Sequence, residues 1–302
     1  MNAPNRAQFL ADRLSGLGGS DAAPALGLSP WKSPLQLYLE KIGEGDPVEE
    51  NDAMRFGILL EPVVRDEYAR RTGRNVIFGQ RAYRSSEHPF MLANLDGMAI
   101  GEDRRVLEVK TARDDREWGE PGTDNVPQAY LLQVTHYMIV TGAQLADIAV
   151  LIGGSDFRIY TVPLKPELAE LVIEGERQFW DAVERRDPPA PSTLAEINLR
   201  WRASNARTVD LPPNVAKAVE RLAELRDQTQ AIEEEAERCE AIVKMEMRDA
   251  DTGLIDGVPA VTWRQAKPGK VLDLKRLRAE RADVVSEYEY EKPGTRRFLL
   301  KL

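Results

Sequence analysis

Cysteine and histidine are scarce in this chain. Its 302 residues include one cysteine, Cys239, and two histidines, His88 and His136. A lone thiol excludes a disulfide within the chain and any four-cysteine metal or iron–sulfur site. His88 falls in a Ser-Glu-His-Pro turn and His136 in a helical stretch, and both read as structural rather than catalytic. No apolar run approaches the ~18 residues of a membrane span, and the first residues lack the basic-then-apolar order of a signal peptide. A soluble, cytoplasmic protein is therefore expected. Positive charge is in deficit too: 41 Lys and Arg stand against 50 Asp and Glu, a formal net charge of −9. That balance does not suit a general nucleic-acid binder. It leaves room for an enzyme that keeps its basic groups in a channel and an acidic exterior. The apolar content of 42% supports a proper core, enough for one large domain or a medium one with an appendage.

The chemistry concentrates between Phe90 and Ala112. Two strands are expected, joined by a turn at Gly101-Glu102-Asp103, the first ending in Asn94-Leu95-Asp96-Gly97 and the second being Val106–Thr111. Strand side chains alternate, so Glu108 and Lys110 share one face and Leu107 and Val109 the other. A carboxylate and an ammonium flanked by Val and Leu are a costly choice for a core unless they are used. If the strands pair across the turn, Asp96 lies beside Glu108. Two carboxylates so close repel unless a cation sits between them, and oxygen ligands of this kind suit Mg²⁺. Lys110 is then placed to orient a water or steady charge on a phosphate. The same pattern is also that of a surface hairpin carrying a salt bridge.

Upstream, a helical pattern through Phe9, Leu10, Arg13 and Leu14 runs into Gly16-Leu17-Gly18-Gly19-Ser20-Asp21. This is either a phosphate seat, in which glycines let amides approach an anion, or an ordinary loop with Ser20 or Asp21 capping the next helix. Ser29–Pro34 punctuates the chain before a helix over Leu35–Ile42. Residues 53–72 are helical by period, with an apolar stripe of Phe56, Leu59, Leu60, Val63, Val64 and Tyr68. Glu61 interrupts that stripe before Pro62, either as a charge at a helix start or as a third carboxylate buried toward the site. Val76–Phe78 and Arg81–Arg84 read as strand pieces. A loose charged stretch, Arg113–Asn125, is expected to be a mobile loop near substrate. Pro127–Thr141 is a helix with Gln133 and Tyr137 on one side, followed by a hairpin of Ala146–Gly153 with Phe157–Val162 and a helix over Pro166–Arg185. The prolines at 188, 189 and 191 mark a boundary. Beyond it Ala218, Leu222, Leu225, Thr229, Ile232, Ala236, Cys239 and Val243 form a heptad seam on a long charged helix. The last fifty or so residues read as a small α+β unit. A strand is expected at Ala260–Trp263 and a helix at Leu272–Arg281, with Tyr288–Tyr290 pairing with Phe298–Leu300 across Lys292–Thr295. Basic residues gather there, as a solvated face or a phosphate-facing one.

Five segments in order carry a family resemblance over about residues 9–185. They are Arg13…Gly18-Gly19-Ser20-Asp21, Met54-Arg55-x-Gly57-x-x-x-Glu61-Pro62, Leu95-Asp96-Gly97, Glu108-x-Lys110 and Gln133…Tyr137-x-x-x-Thr141-Gly142. The chain resembles the phage lambda exonuclease / YqaJ-type viral recombinase family of the PD-(D/E)xK nuclease superfamily. The resemblance implies a mixed α/β, restriction-endonuclease-like nuclease core, with a mixed central sheet flanked by helices, over residues 1–190. A helical arm (191–250) and a small α+β appendage (251–302) lie outside it. It implies that Asp96, Glu108 and the Val109 carbonyl hold Mg²⁺, with Mn²⁺ able to substitute, and that Lys110 activates the attacking water. Glu61 would bind a second metal or help that water, and Gln133 would orient the nucleophile or the lysine. Arg13, Ser20 and Tyr137 would form the 5′-phosphate and DNA contacts. The implied activity is 5′-to-3′ digestion of linear double-stranded DNA, releasing mononucleotides and leaving 3′ overhangs. The implied partners are further copies in a three-membered ring and a single-strand annealing protein. An endonuclease on the same core, or a non-catalytic DNA-end scaffold, are the alternatives.

Overall fold

The computed structural model describes residues 14–46, 50–78, 83–291 and 294–301. Phe9, Leu10 and Arg13, the strand start at Arg81-Ala82, and Lys292-Pro293 of the expected C-terminal turn lie outside these residues. The chain divides into two compact units, Met1–Ile197 and Asn198–Leu302. The prolines at 188, 189 and 191 precede that division, which falls within a short helix, Leu194–Arg200.

The first unit is a mixed α/β structure with a mixed central sheet flanked by helices, as the resemblance implies. Five strands line up as β2 (Asn75–Ile77), β5 (Gly97–Ile100), β6 (Arg104–Ala112), β7 (Leu145–Ile152) and β8 (Asp156–Pro163). All neighbours are antiparallel except β6 and β7. A parallel pair needs a crossover, and the chain between them supplies it: the irregular stretch after Ala112, then helix α4 (Gln128–Thr141). A small second sheet joins β1 (Leu17–Gly18), β4 (Met91–Ala93) and β3 (Tyr83–Arg84).

β6 is buried on both faces, and its alternation decides what each face meets. Leu107 and Val109 pack with Ala99 and Ala149 against Val64 and Tyr68 of α3 (Asp52–Thr72). Val106 joins Ile148 and Val150 under Val134, Tyr137 and Met138 of α4. Behind α4, Leu132 meets Ala22 and Ala23 of α1 (Gly19–Ala25) and Val172 of α5 (Pro166–Glu184), with α2 (Pro34–Lys41) completing this layer. α3 starts where the Asn51 side chain accepts the Met54 N–H at 2.9 Å and ends at Gly73 in the left-handed region (φ 68°). Pro62 lies in its middle rather than in a first turn. The expected stripe is split: Val64 and Tyr68 are buried, whereas Phe56, Leu59 and Val63 are 58, 58 and 57% exposed. The stretch 113–125 is irregular, as expected, and is pinned to β8: the Tyr160 hydroxyl donates to the Gly119 carbonyl at 2.8 Å, and Arg158 pairs with Asp115 at 2.9 Å.

Two buried ion pairs run through the helical layer. Lys41 donates to Asp21 at 2.7 Å and to the Gly16 carbonyl at 2.8 Å. His136 on α4 meets Glu176 on α5 at 2.8 Å through Nδ1, and donates through Nε2 to the Leu92 carbonyl at 2.8 Å. Each ring nitrogen of His136 faces an oxygen, an arrangement that suits the charged imidazolium. Burial opposes that charge, and the Glu176 carboxylate outweighs burial and raises the imidazole pKa. The structural reading of His136 is what the packing shows.

In the second unit, α7 (Pro213–Met247) carries the heptad seam, with Leu225, Ile232 and Val243 exposed. A hairpin of β9 (Thr252–Ile255) and β10 (Val258–Thr262) follows, then α8 (Leu274–Glu280) and α9 (Ala282–Tyr288). The expected pairing of Tyr288–Tyr290 with Phe298–Leu300 is replaced: residues up to Tyr288 continue α9, and 298–300 form no strand. The hairpin forms instead at Asp256-Gly257, both with positive φ (51° and 78°), the Asp-Gly turn whose twist matches paired strands.

Removing one member of a buried pair leaves the other charge without compensation, at a cost of about 3–5 kcal/mol. Glu176→Leu is therefore expected to lower unfolding stability by about that much in urea titrations, and adding His136→Leu should recover most of it. A double variant no more stable than the single one would show that the pair is not a unit.

Candidate active site

β5 and β6 pair from Ile100↔Arg104 to Gly97↔Leu107, and there β5 ends. β6 runs on to Ala112 with only its β7 edge paired. From Glu108 onward the other edge is open, and Asp96, the residue before β5, closes it. Its Oδ2 accepts the Val109 N–H at 2.8 Å. The Val109 carbonyl points along the same edge, since a strand residue turns both backbone groups to one side. Gly97, the next residue, has no room for a side chain, because a Cβ there would meet Val76 of β2 at 2.7 Å.

On the α4 face, Glu108 is 2% exposed. Its Oε1 accepts from Lys110 Nζ at 2.5 Å and from Gln133 Nε2 at 2.7 Å. Its Oε2 is buried with no hydrogen-bond partner. Burial, and then the charge of Glu108, push the Asp96 carboxyl up to about 8, although the Val109 N–H and Lys110 pull the other way. Burial works against the Lys110 charge as well. Glu108 and Asp96 outweigh it, and the ammonium pKa rises. Lys110 Nζ also stands 4.8 Å from the centre of the Tyr130 ring.

Asp96, Glu108, Lys110, Gln133 and the Val109 backbone are thus brought together from three separate stretches of chain. The hollows lined by Ser15, Arg84, His88 and Trp180, and by Leu26, Leu28 and Phe179, include none of them. The donor set is all oxygen, with one oxygen orphaned and one carboxyl pKa raised by burial and then by its neighbour's charge. Both features fit a hard divalent cation, and Mg²⁺ is commonly held by one or two carboxylates while keeping several waters. Among the described residues, no group of three or more His, Cys, Asp or Glu gathers at one point.

Two expected contributors sit differently. Glu61 is not buried among apolar neighbours: its side chain is 37% exposed and pairs with Arg65 at 2.8 Å, because the stripe of α3 faces the sheet only on its Val64–Tyr68 side. Tyr137 is 5% exposed, with its hydroxyl 3.3 Å from Gln133 Nε2, so it packs behind Gln133 rather than on the surface. A Cβ on Gly19 would meet its ring at 2.4 Å, which gives that glycine a packing reason. Ser20 is exposed beside this contact, and Arg13 lies outside the described residues. Neither Ser20 nor Asp21 is the cap of α1. The cap is Gly18, whose N–H the Asp21 carboxylate accepts at 3.0 Å.

The structure adds Arg65. Its Nη1 lies 3.5 Å from the Asp96 carbonyl and its guanidinium 4.1 Å over the Phe78 ring. An arginine between Val64 and Tyr68, four residues after Glu61, was the available signal.

A model of the YqaJ-like viral recombinase domain matches residues 8–144. The chain is 35% identical over 311 residues to an uncharacterized protein, YqaJ, of Bacillus subtilis (strain 168), covering 98% of this chain and 94% of that one. Among solved structures it is similar to an alkaline exonuclease (LHK-Exo) from Laribacter hongkongensis, with a TM-score of 0.48 and 19% identity, covering 60% of this chain and 94% of the other. It is also similar to a phage related exonuclease from Haemophilus somnus 129PT, with a TM-score of 0.43 and 13% identity, covering 57% and 96%.

The raised Asp96 carboxyl has a signature in pH. A folded pKa of about 8 against an ordinary 3.8 means that the native state holds a proton the unfolded chain has lost. That stabilisation is full below the ordinary value and disappears as pH rises through about 8. In chelator, the melting temperature of the wild type is expected to fall more steeply with rising pH than that of Asp96→Asn, whose amide cannot ionise. Parallel slopes would mean that the carboxyl is not held neutral.

Proposed function

The chain belongs to the YqaJ-like viral recombinase family, and on that premise we propose that it is a divalent-metal-dependent nuclease acting on the ends of linear duplex DNA. The observation that carries this reading is the buried, unpartnered Oε2 of Glu108 beside the raised Asp96 carboxyl. Asp96, Glu108 and the Val109 carbonyl would hold Mg²⁺, which when bound supplies Lewis-acid polarisation of a phosphodiester oxygen and lowers the pKa of a water. Gln133 keeps the Glu108 carboxylate turned so that Oε2 stays free. Lys110, now tied to Oε1, is the group that places a water or meets negative charge on the scissile phosphate. Glu61 is at most a peripheral contributor, through Arg65 and the Asp96 backbone.

The finer reading is a 5′-to-3′ exodeoxyribonuclease that releases mononucleotides and leaves 3′ overhangs for single-strand annealing. Ser20, exposed next to the Gly19–Tyr137 contact, supports a seat for a terminal 5′-phosphate there. The exposed Phe56, Leu59 and Val63 supply an apolar stripe for contact between copies, consistent with a ring of three around DNA. The seam of α7 and the basic residues of the second unit suit an annealing partner or a longer DNA path.

The test is digestion of a linear duplex with a 5′-phosphate on one end only, with Mg²⁺ or chelator. Mononucleotides are expected from the phosphorylated strand, only with metal. Lys110→Ala should lower kcat by about 10²–10⁴-fold, the span of a lost acid–base or charge-placing group, and Ser20→Ala should narrow the preference for the phosphorylated end. Cutting of closed circles would replace the exonuclease by an endonuclease. Tight end binding without cleavage would leave only a scaffold.

A further inference from the structure

Four aromatic rings from four separate stretches of chain form a ladder that ends in solvent beside the catalytic lysine. Tyr160 of β8 is fully buried, with its hydroxyl tied to the Gly119 carbonyl. Trp118 of the crossover lies 5.1 Å from it, centre to centre, and Tyr130 of α4 lies 5.7 Å from Trp118. Trp31 then stacks on Tyr130 at 5.9 Å, with the ring planes 25° apart. Trp118 and Tyr130 are half-buried, and Trp31 is 66% exposed.

The backbone under Trp31 is fixed on both sides. Ser29 Oγ accepts the N–H groups of Trp31 and Lys32, each at 3.2 Å. Lys32 pairs with Glu40 of α2, and Ser33 caps that helix through the Gln36 N–H at 3.2 Å. An indole left mostly in water forgoes the burial that would repay a core residue. Here it is stacked flat on one ring, held on a braced turn, and one ring away from Lys110, whose Nζ stands 4.8 Å from the centre of the Tyr130 ring.

We propose that Trp31 and Tyr130 form a stacking platform for a nucleobase of the strand being cut, next to the scissile phosphate. This rests on the nuclease reading above. Every base has a π-face, so such a platform holds the strand without choosing its sequence. A phosphate held at Glu108 and Lys110 brings its neighbouring base to this side of the site. The ladder back to Tyr160 keeps the platform rigid, so little side-chain order remains to be lost on binding.

The full-length protein tests this with Mg²⁺ and a linear 5′-phosphorylated duplex, intact or carrying abasic residues at the digested end. Trp31→Ala is expected to raise KM for the intact strand by roughly tenfold, within the span of one lost base stack. The change falls on KM rather than kcat, and Trp31→Phe should restore most of the affinity. The decisive comparison is the abasic strand: it should weaken the wild type as Trp31→Ala weakens the intact strand, and should cost the Trp31→Ala variant little more. An equal abasic penalty in both proteins, or an unchanged KM in Trp31→Ala, would overturn the platform. If the wild type cleaves nothing, the nuclease reading fails separately. The platform is then decided by anisotropy of a labelled single-stranded oligonucleotide, intact against abasic. Discrimination lost in Trp31→Ala would sustain it, and no discrimination by the wild type would end it.

Discussion

Asp96 and Glu108 repel one another across a strand edge that little water reaches, and almost every neighbouring feature follows from holding them there. The β5–β6 register puts Asp96 opposite Glu108 by ending one strand where the other continues. The Val109 N–H and the Lys110 ammonium offset part of the repulsion, yet the Asp96 carboxyl still rises to about 8. Left to itself, a pair of this kind would relax by turning one carboxylate away. Gln133 prevents it by engaging Oε1 of Glu108 from α4, so the strain stays at the edge as an oxygen without a partner.

That restraint is only as firm as α4, and α4 is fastened by its own polar residues. His136, between Gln133 and Tyr137 in sequence, ties the helix to α5 through Glu176 and to β4 through the Leu92 carbonyl. On the site-facing side, Tyr137 packs against Gly19 and shares a hydrogen bond with Gln133. The two faces do different things: one locks the helix, the other transmits its position to Glu108. Buried ion pairs contribute little net stability compared with apolar packing, so their use here is positional, fixing the angle at which a helix presents an amide.

The carboxylate pair was legible in the sequence because it depends on rules local to a hairpin: a Gly-containing turn, strict alternation, and a count of residues from Asp96 to Glu108. The helix of residues 53–72 was legible as a helix but not in its burial. Its apolar stripe is wider than the sheet it covers, so Val64 and Tyr68 were indistinguishable in pattern from the exposed Phe56, Leu59 and Val63. Glu61 was misplaced for the same reason. Tyr130 and Trp31 were missed because they meet only in the folded chain, and no periodicity links Trp31 to the first turn of α4. Arg65 was missed because, although Glu61 lies four residues before it, its contacts with Phe78 and the Asp96 carbonyl are not written in the local pattern. Near the C-terminus the Asp256-Gly257 turn was a stronger hairpin signal than Pro293-Gly294, and weighing turn chemistry above strand composition would have found the right pair.

An acidic chain that sets two carboxylates, one buried and one half-buried, at its open strand edge is, as it stands, a poor host for a phosphate backbone. Around the open edge, Lys110 is already spent on Glu108 and Arg65 on Glu61. A phosphate approaching Asp96 and Glu108 meets like charge in a region of low screening, where such repulsion is large. On the proposed reading a divalent cation reverses the sign of this region and frees Lys110 from sole responsibility for Glu108. Metal and DNA would then each raise the affinity for the other by the same factor, since linkage between two binding equilibria is reciprocal. The stacking platform stands outside this coupling. Its contribution comes from a base and not a charge, so it acts whether or not the carboxylates are neutralised.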